Sequence, residues 1–141
     1  MKARINIITL GVDDLARSLA FYRDGLGFAT PGIIGTELEY GAVVFIDLQA
    51  ANLKLALWLR DSIARDTGLA KGKPSPTELT LGHLVNSRAE VDAAMAQAKR
   101  AGANIVKEAA ETFWGGYAGY FEDPDAHVWE VAWNPQLAVD D

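Results

Sequence analysis

The stretch FEDPDAHVWEV, at residues 121–131, decides how this chain folds. Its centre, residues 123–126, is DPDA, a run of turn-forming residues in which the proline cannot continue a hydrogen-bonded ladder. The flanking segments, residues 117–122 and 127–133, are rich in the aromatic and β-branched residues typical of strands. The sequence here therefore predicts two antiparallel strands joined by a tight turn.

Glu130 is the one charged residue in the second of these strands. Because side chains alternate along a strand, Trp129, Val131 and Trp133 would share one face and Glu130 the other. One interpretation is a solvated glutamate on an open sheet face. The other is a cavity carboxylate that binds a cation or serves as a catalytic base. We take Glu130 as the candidate catalytic residue.

Upstream of the hairpin, the pattern predicts a strand, a helix and another strand. Residues 79–85 form an apolar strand, and Ser87 with Glu90 has the spacing of a capping box. Apolar residues then recur at helical spacing up to Gly102, which is expected to end the helix. A short strand over residues 104–106 follows.

The first half of the chain shows the same order. A strand over residues 4–12 precedes Asp13 and Asp14, a candidate N-cap pair for a helix that runs from Leu15 until Gly25 and Gly27 end it. Two further strands are then predicted, and a short helix capped by Asp61. The strands cover residues 41–48 and 53–59 and are joined by residues 50–52, and the helix covers residues 61–65.

Corresponding residues of the two halves are 73 to 76 positions apart, as Val12 is from Val85 and Asp47 from Asp123. This spacing predicts an internal duplication within a single domain spanning residues 1–141. Module one would cover residues 4–60 and module two residues 79–135. The connector, residues 61–78, ends in a polar segment rich in Lys, Gly and Pro.

Two motifs resemble those of the vicinal oxygen chelate superfamily, which includes glyoxalase I, bleomycin-resistance proteins and extradiol dioxygenases. The first is VDDLARS at residues 12–18 with FY at 21–22 and LGF at 26–28. The second is F-x-DPDG-x-x-x-E at residues 121–130, with Ala126 in place of the usual glycine. The resemblance implies an α+β fold of two βαβββ modules, which form a curved eight-stranded mixed sheet around a cavity, and frequent homodimers.

The resemblance also implies a divalent metal held by residues of the first and last strands of each module. Those positions fall on Ile7, Leu55, Thr80 and Glu130, and of these only glutamate is a standard ligand. By strand alternation His127 faces away from Glu130, and His83, three residues from Thr80, faces away from the cavity face that the resemblance assigns to Thr80. We therefore expect no metal site of the family type and no cofactor.

The predicted cavity would be lined by residues of both modules, with Glu130 as its charged group. They are Ile7, Thr9, Leu55, Thr80, Trp114, Tyr117 and Glu130. Trp114 and Tyr117 belong to FWGGY, residues 113–117, where two glycines between aromatics permit a tight turn. This loop either completes the core or forms an aromatic lid over a flat or cationic ligand.

Composition narrows the function classes further. The 141 residues carry a net charge of −6 and no cysteine, which excludes disulfides and a cysteine nucleophile and disfavours nucleic acid as a partner. No apolar run reaches the length of a membrane span and no secretory signal is visible, so we expect a cytoplasmic protein. Three functions remain: metal-free binding of a small aromatic or cationic molecule, a lyase, isomerase or dioxygenase, and a scaffold with a vestigial cavity.

Overall fold

The structure, a computed structural model, describes residues 1–49 and 52–140. The chain divides into two compact units, unit 1 over Met1–Lys73 and unit 2 over Pro74–Asp141. The division lies inside the predicted connector, and each unit contains its own four-stranded mixed sheet.

Unit 1 follows the predicted order of strand, helix and strands. Its elements are β1 (Ile7–Val12), α1 (Leu15–Leu19), a π-helical segment (Ala20–Gly25), β2 (Ile33–Ile34), β3 (Val43–Asp47), β4 (Lys54–Leu59) and α2 (Arg60–Thr67). The strand order is β1-β4-β3-β2, with β1 parallel to β4 and the other pairs antiparallel. The two-residue strand β2 was not predicted, because a pair of isoleucines is too short to show alternation.

The first helix begins where the sequence predicts. Asp14 is its N-cap, and the carboxylate accepts a hydrogen bond from the backbone N–H of Arg17 at 3.0 Å. Phe21 and Tyr22, in the π-helical segment, are buried with the alternate residues of the strands. The buried strand residues of this face are Leu10, Val12, Val44, Ile46, Leu55 and Leu57, and Ala56 on the other face of β4 is buried as well.

The prediction that Asp61 caps the second helix was wrong. α2 begins at Arg60, and its N-cap is Leu59, which provides no side-chain hydrogen bond. Asp61 lies in the first turn and forms an ion pair with Lys71 at 2.7 Å. Of the predicted connection at residues 50–52, the first two residues lie outside the described part of the chain.

Unit 2 repeats the plan with a longer helix. Its elements are β5 (Thr80–Val85), α3 (Arg88–Ala101), β6 (Asn104–Glu111), β7 (Tyr117–Glu122) and β8 (Val128–Trp133). The strand order is β5-β8-β7-β6, with β5 parallel to β8. β6 is longer than the predicted strand over residues 104–106, because two register shifts let it stay paired with β7 up to Glu111.

The predicted capping box forms in part. The Ser87 hydroxyl accepts from the backbone N–H of Glu90 at 3.2 Å, as expected. The Glu90 carboxylate, however, accepts from the N–H of Asn86 at 2.6 Å and not from that of the cap residue. Gly102 ends the helix with a φ of 100°, a left-handed conformation that favours glycine.

α3 packs on the face of the sheet that carries Gly119 and Val131. A Cβ atom on Gly119 would lie 2.9 Å from the terminal methyl of Met95, so this glycine allows the helix to approach the sheet. Glu130 alternates with Val131 along β8 and therefore lies on the face away from α3.

These observations confirm the α+β fold with two related modules. Each module has its own four-stranded sheet, and the single eight-stranded sheet around a cavity stays a prediction, as does the single domain. Within the described residues, no helix is both long enough and apolar enough to span a membrane.

Candidate functional site

Glu130 lies directly opposite Tyr120 on the neighbouring antiparallel strand. The Tyr120 hydroxyl donates a hydrogen bond to Oε1 of Glu130 at 3.0 Å, and both residues are partly exposed. A carboxylate has room for about four hydrogen bonds, so with respect to residues 1–49 and 52–140 most of the acceptor capacity of Glu130 is free for a ligand.

The two residues belong to a row that crosses the whole sheet of unit 2. Gly82 of β5 is in register with Glu130, and Lys107 of β6 is in register with Tyr120. Residues in register share a face. From β5 to β6, the row therefore consists of Gly82, the Glu130 carboxylate, the Tyr120 phenol and the Lys107 ammonium group. Thr80 lies two residues before Gly82 on β5 and shares this face.

Gly82 leaves open space next to the carboxylate. No heavy atom lies within 4 Å of the position a Cβ would occupy at this residue. A side chain there would stand next to Glu130, at about the strand spacing of 4.8 Å. Its absence creates room for a ligand group that approaches the carboxylate from the β5 side.

The surroundings of Tyr120 favour the protonated form of its hydroxyl. Partial burial, and after it the hydrogen bond to the Glu130 carboxylate, raise the pKa of Tyr120 above its usual value. A neutral phenol next to a carboxylate can orient it, supply an aromatic surface and donate a proton to a reacting group.

Tyr120 is a site residue that sequence reasoning missed. A four-residue turn over residues 123–126 would place Gly119 opposite Glu130. In the structure Glu122 is in register with Val128, so five residues, 123–127, connect the two strands. The register therefore shifts by one and Tyr120 takes the opposing position.

Tyr117, a predicted cavity residue, lies on the opposite face from Glu130. It is in register with Trp133, and its hydroxyl donates to the Asp92 carboxylate of α3 at 2.9 Å. That hydrogen bond, with partial burial, raises the pKa of Tyr117. The structure thus joins Tyr117 to the helix face and does not bring it together with Glu130.

Trp114 packs against its own loop. Its indole ring covers Gly116, where a Cβ would collide with ring atoms and lie 2.5 Å from the carbonyl oxygen of Trp133. Thr112 closes the turn by accepting from the N–H of Gly116 at 3.0 Å. Trp114 remains 37% exposed. This packing completes the local structure of unit 2, and whether the ring also acts as a lid stays a prediction.

In unit 1, Ile7 and Thr9 share one face of β1 and are both exposed. Leu55 is 1% exposed and is in register with Ile8, so it lies on the other face with the core. The structure therefore does not bring Leu55 to the face of Ile7 and Thr9.

The sequence spacing suggested that Leu55 is the counterpart of Glu130 in the first module, but the strand registers show that it is not. Thr9 is in register with Ala56, and the corresponding residue Gly82 is in register with Glu130. The repeat offset in the last strands is therefore 74 residues and not 75. A shift of one residue exchanges the faces of a strand, which is why the sequence assigned a buried leucine to this position.

A depression of about 260 Å³ lies along α2 in unit 1. It is lined by aliphatic residues and by Arg60, Lys71 and Lys73. Arg60 pairs with Asp13 at 2.9 Å and Lys71 pairs with Asp61. Because two of its three cations are already ion-paired, this depression is a weaker candidate than the Glu130 face.

Comparisons with known proteins give the family. The model of the Glyoxalase/Bleomycin resistance protein/Dioxygenase superfamily matches residues 4–131. The chain belongs to this superfamily. The matched range contains both motifs on which the resemblance was based. A separate comparison with curated proteins found no match.

Solved structures of the superfamily share this fold. A glyoxalase-related enzyme from Fulvimarina pelagi is 31% identical with a TM-score of 0.84, and the alignment covers 99% of this chain and 94% of that one. A lactoylglutathione lyase from Agrobacterium tumefaciens is 20% identical with a TM-score of 0.69, and the alignment covers 99% and 100% of the two chains. The second likeness is evidence of the fold alone.

The residues at the superfamily's metal positions do not form a ligand set. With the corrected register these positions hold Ile7, Ala56, Thr80 and Glu130, and only glutamate among them is a standard ligand. His83 is in register with Val131, on the face opposite Glu130, as predicted. Among residues 1–49 and 52–140, no three histidine or acidic side chains are grouped to hold a metal ion.

Proposed function

We propose that this protein binds a small cationic or aromatic organic molecule at the Glu130 face of unit 2, without a metal of the superfamily type. The observation that carries the proposal is the Tyr120–Glu130 hydrogen bond next to the open position at Gly82. It provides an oriented negative charge, an aromatic ring and free space in one row of the sheet.

The chemistry of these groups favours a cation. A carboxylate with free acceptor positions attracts an ammonium or guanidinium group, and the face of a tyrosine ring attracts the same charge. The net charge of −6 adds a long-range attraction for cations. The poor ligand set at the metal positions supports binding of an organic molecule and not chelation of vicinal oxygens.

The test is a comparison of ligand binding to the wild type and to Glu130→Gln by calorimetry, with a panel of amines, guanidines and neutral aromatic compounds. Glu111→Gln is the matched control, because Glu111 lies on the opposite face and pairs with Arg88. We expect at least tenfold weaker cation binding in Glu130→Gln only. A panel without a binder, or equal loss in both variants, contradicts the proposal.

A second candidate function is a lyase, isomerase or dioxygenase that uses Glu130 as its base. The Tyr120–Glu130 hydrogen bond favours it, because a phenol that donates to a carboxylate can act together with it as an acid–base pair. Turnover of an identified substrate that falls in both Glu130→Gln and Tyr120→Phe would support this function. Unchanged turnover in Glu130→Gln contradicts it.

Two expectations from the sequence, the oligomeric state and the location, are part of this proposal. The protein is a homodimer, as the family resemblance implies, and it acts in the cytoplasm. Sedimentation of the purified chain tests the first expectation.

A further inference from the structure

Lys107 extends the candidate site by a positive charge. It lies on β6 in register with Tyr120, and Tyr120 is in register with Glu130, so the three side chains share one face of the sheet. Within the described part of the chain, no carboxylate pairs with the Lys107 ammonium group. Glu122, an acid of this face, lies one row away and accepts from the side-chain amide of Asn104 at 3.0 Å.

The separation of the two charges is set by the sheet. Tyr120 occupies the strand between them, so the backbones of Lys107 and Glu130 are about 10 Å apart, twice the usual strand spacing. The lysine stem is long and flexible, and its ammonium can reach a group bound over the tyrosine ring. A ligand above Tyr120 would therefore meet a carboxylate on one side and an ammonium on the other.

A register shift between Ile105 and Lys107 contributes to this arrangement. Pairing without the shift would place Val106 opposite Tyr120. The shift instead puts Lys107 in register with the phenol, while Val106 remains 52% exposed. Bulges commonly redirect a side chain in this way near functional sites.

We infer that the ligand of this site is a zwitterion, a small molecule that carries both an ammonium and a carboxylate group. Its ammonium binds Glu130, its body lies over Tyr120 and its carboxylate binds Lys107. This inference rests on the proposed function, because it assigns the cation to Glu130, and it adds the second charge.

The test uses pairs of compounds that differ only in a carboxylate: phenethylamine and phenylalanine, isoamylamine and leucine, agmatine and arginine, cadaverine and lysine. Binding of each is measured by calorimetry. We expect the amino acid of at least one pair to bind at least threefold more tightly than its amine. Lys107→Gln should abolish that preference and leave the affinity for the amine unchanged.

Lys99→Gln is the matched control, because Lys99 is exposed on α3, which packs on the opposite face. It should keep the preference for the zwitterion. Amines that bind as tightly as their amino acids, or a preference that survives in Lys107→Gln, would overturn the inference and leave the proposed function standing. If none of the eight compounds binds the wild type while another compound of the wider panel does, the inference alone is overturned. If no compound of that panel binds, both are overturned.

Discussion

The hydroxyl of Tyr120 and the carboxylate of Glu130 meet across strands β7 and β8 at 3.0 Å. The contact joins directly opposite residues of an antiparallel pair, so its geometry is fixed by the backbone of both strands. A carboxylate held in this way loses little further freedom when it binds a ligand. The pair therefore supports a binding role for the face that points away from α3.

The first prediction concerns the ionisation of Tyr120. Replacing Glu130 with glutamine removes the negative charge that disfavours the tyrosinate, so the pKa of Tyr120 should fall. It should stay above the ordinary value, because burial, the larger cause, remains. Titration followed by absorbance at 295 nm measures this shift among the four tyrosines.

The control for this experiment is the Tyr120→Phe background. There the titration should lose one high-pKa transition, and Glu130→Gln should cause no further change. A shift of equal size in both backgrounds would mean that Glu130 acts on another tyrosine.

The second prediction is a loss of stability at alkaline pH. The pKa of Tyr120 is raised in the folded state, so the folded chain holds this proton more tightly than the unfolded chain. The resulting stabilisation is complete below the unfolded pKa of about 10 and is lost as the pH rises through the folded pKa. Urea unfolding from pH 8 upward should show a steeper decline for the wild type than for Tyr120→Phe, and parallel curves would contradict the expectation.

Strand alternation was sufficient to place His83 on the face opposite Thr80, because that inference needs only the parity of positions within one strand. Its relation to Glu130 also needed the register of β5 with β8, which the family positions of Thr80 and Glu130 supplied and the structure bears out. The partner of Glu130 required the loop length to within one residue, and the apparent four-residue turn gave the wrong register. The assignment of Leu55 to the face of Ile7 and Thr9 was also wrong by one residue of register. Patterns of hydrophobicity thus predict which elements form, while side-chain pairs depend on a register that they do not fix.

The third prediction concerns Ala126, which stands where the family motif has glycine. Its φ is 66°, a left-handed conformation that strains a residue with a Cβ. Ala126→Gly should therefore raise the free energy of unfolding by about 0.5–1 kcal/mol, measured by urea titration. Ala96→Gly, in the exposed middle of α3, is the matched control and should lower it by about 1 kcal/mol. A decrease in both variants would show that Ala126 is not strained.

The fourth prediction tests the packing of the loop between β6 and β7. Gly116→Ala adds a Cβ that collides with the Trp114 ring and the Trp133 carbonyl. We expect a loss of about 1–3 kcal/mol in stability and a red shift of tryptophan fluorescence as the ring moves into water. Gly72→Ala, where no atom lies within 4 Å, should change neither quantity. Unaltered fluorescence in Gly116→Ala would mean that Trp114 does not pack on this glycine.

The fifth prediction fills the open position next to Glu130. Gly82 has no neighbour within 4 Å of its Cβ position and needs no left-handed conformation, so valine fits without a clash. A β-branched residue also suits the interior of a strand, and the melting temperature of Gly82→Val should not fall. The added isopropyl group occupies the space through which a ligand reaches the carboxylate, so affinity for the best amine should drop at least tenfold by calorimetry.

Gly72→Val is the control for this experiment. Because Gly72 lines the depression along α2, this variant also reports on binding there. Full affinity in Gly82→Val together with a loss in Gly72→Val would move the site to unit 1.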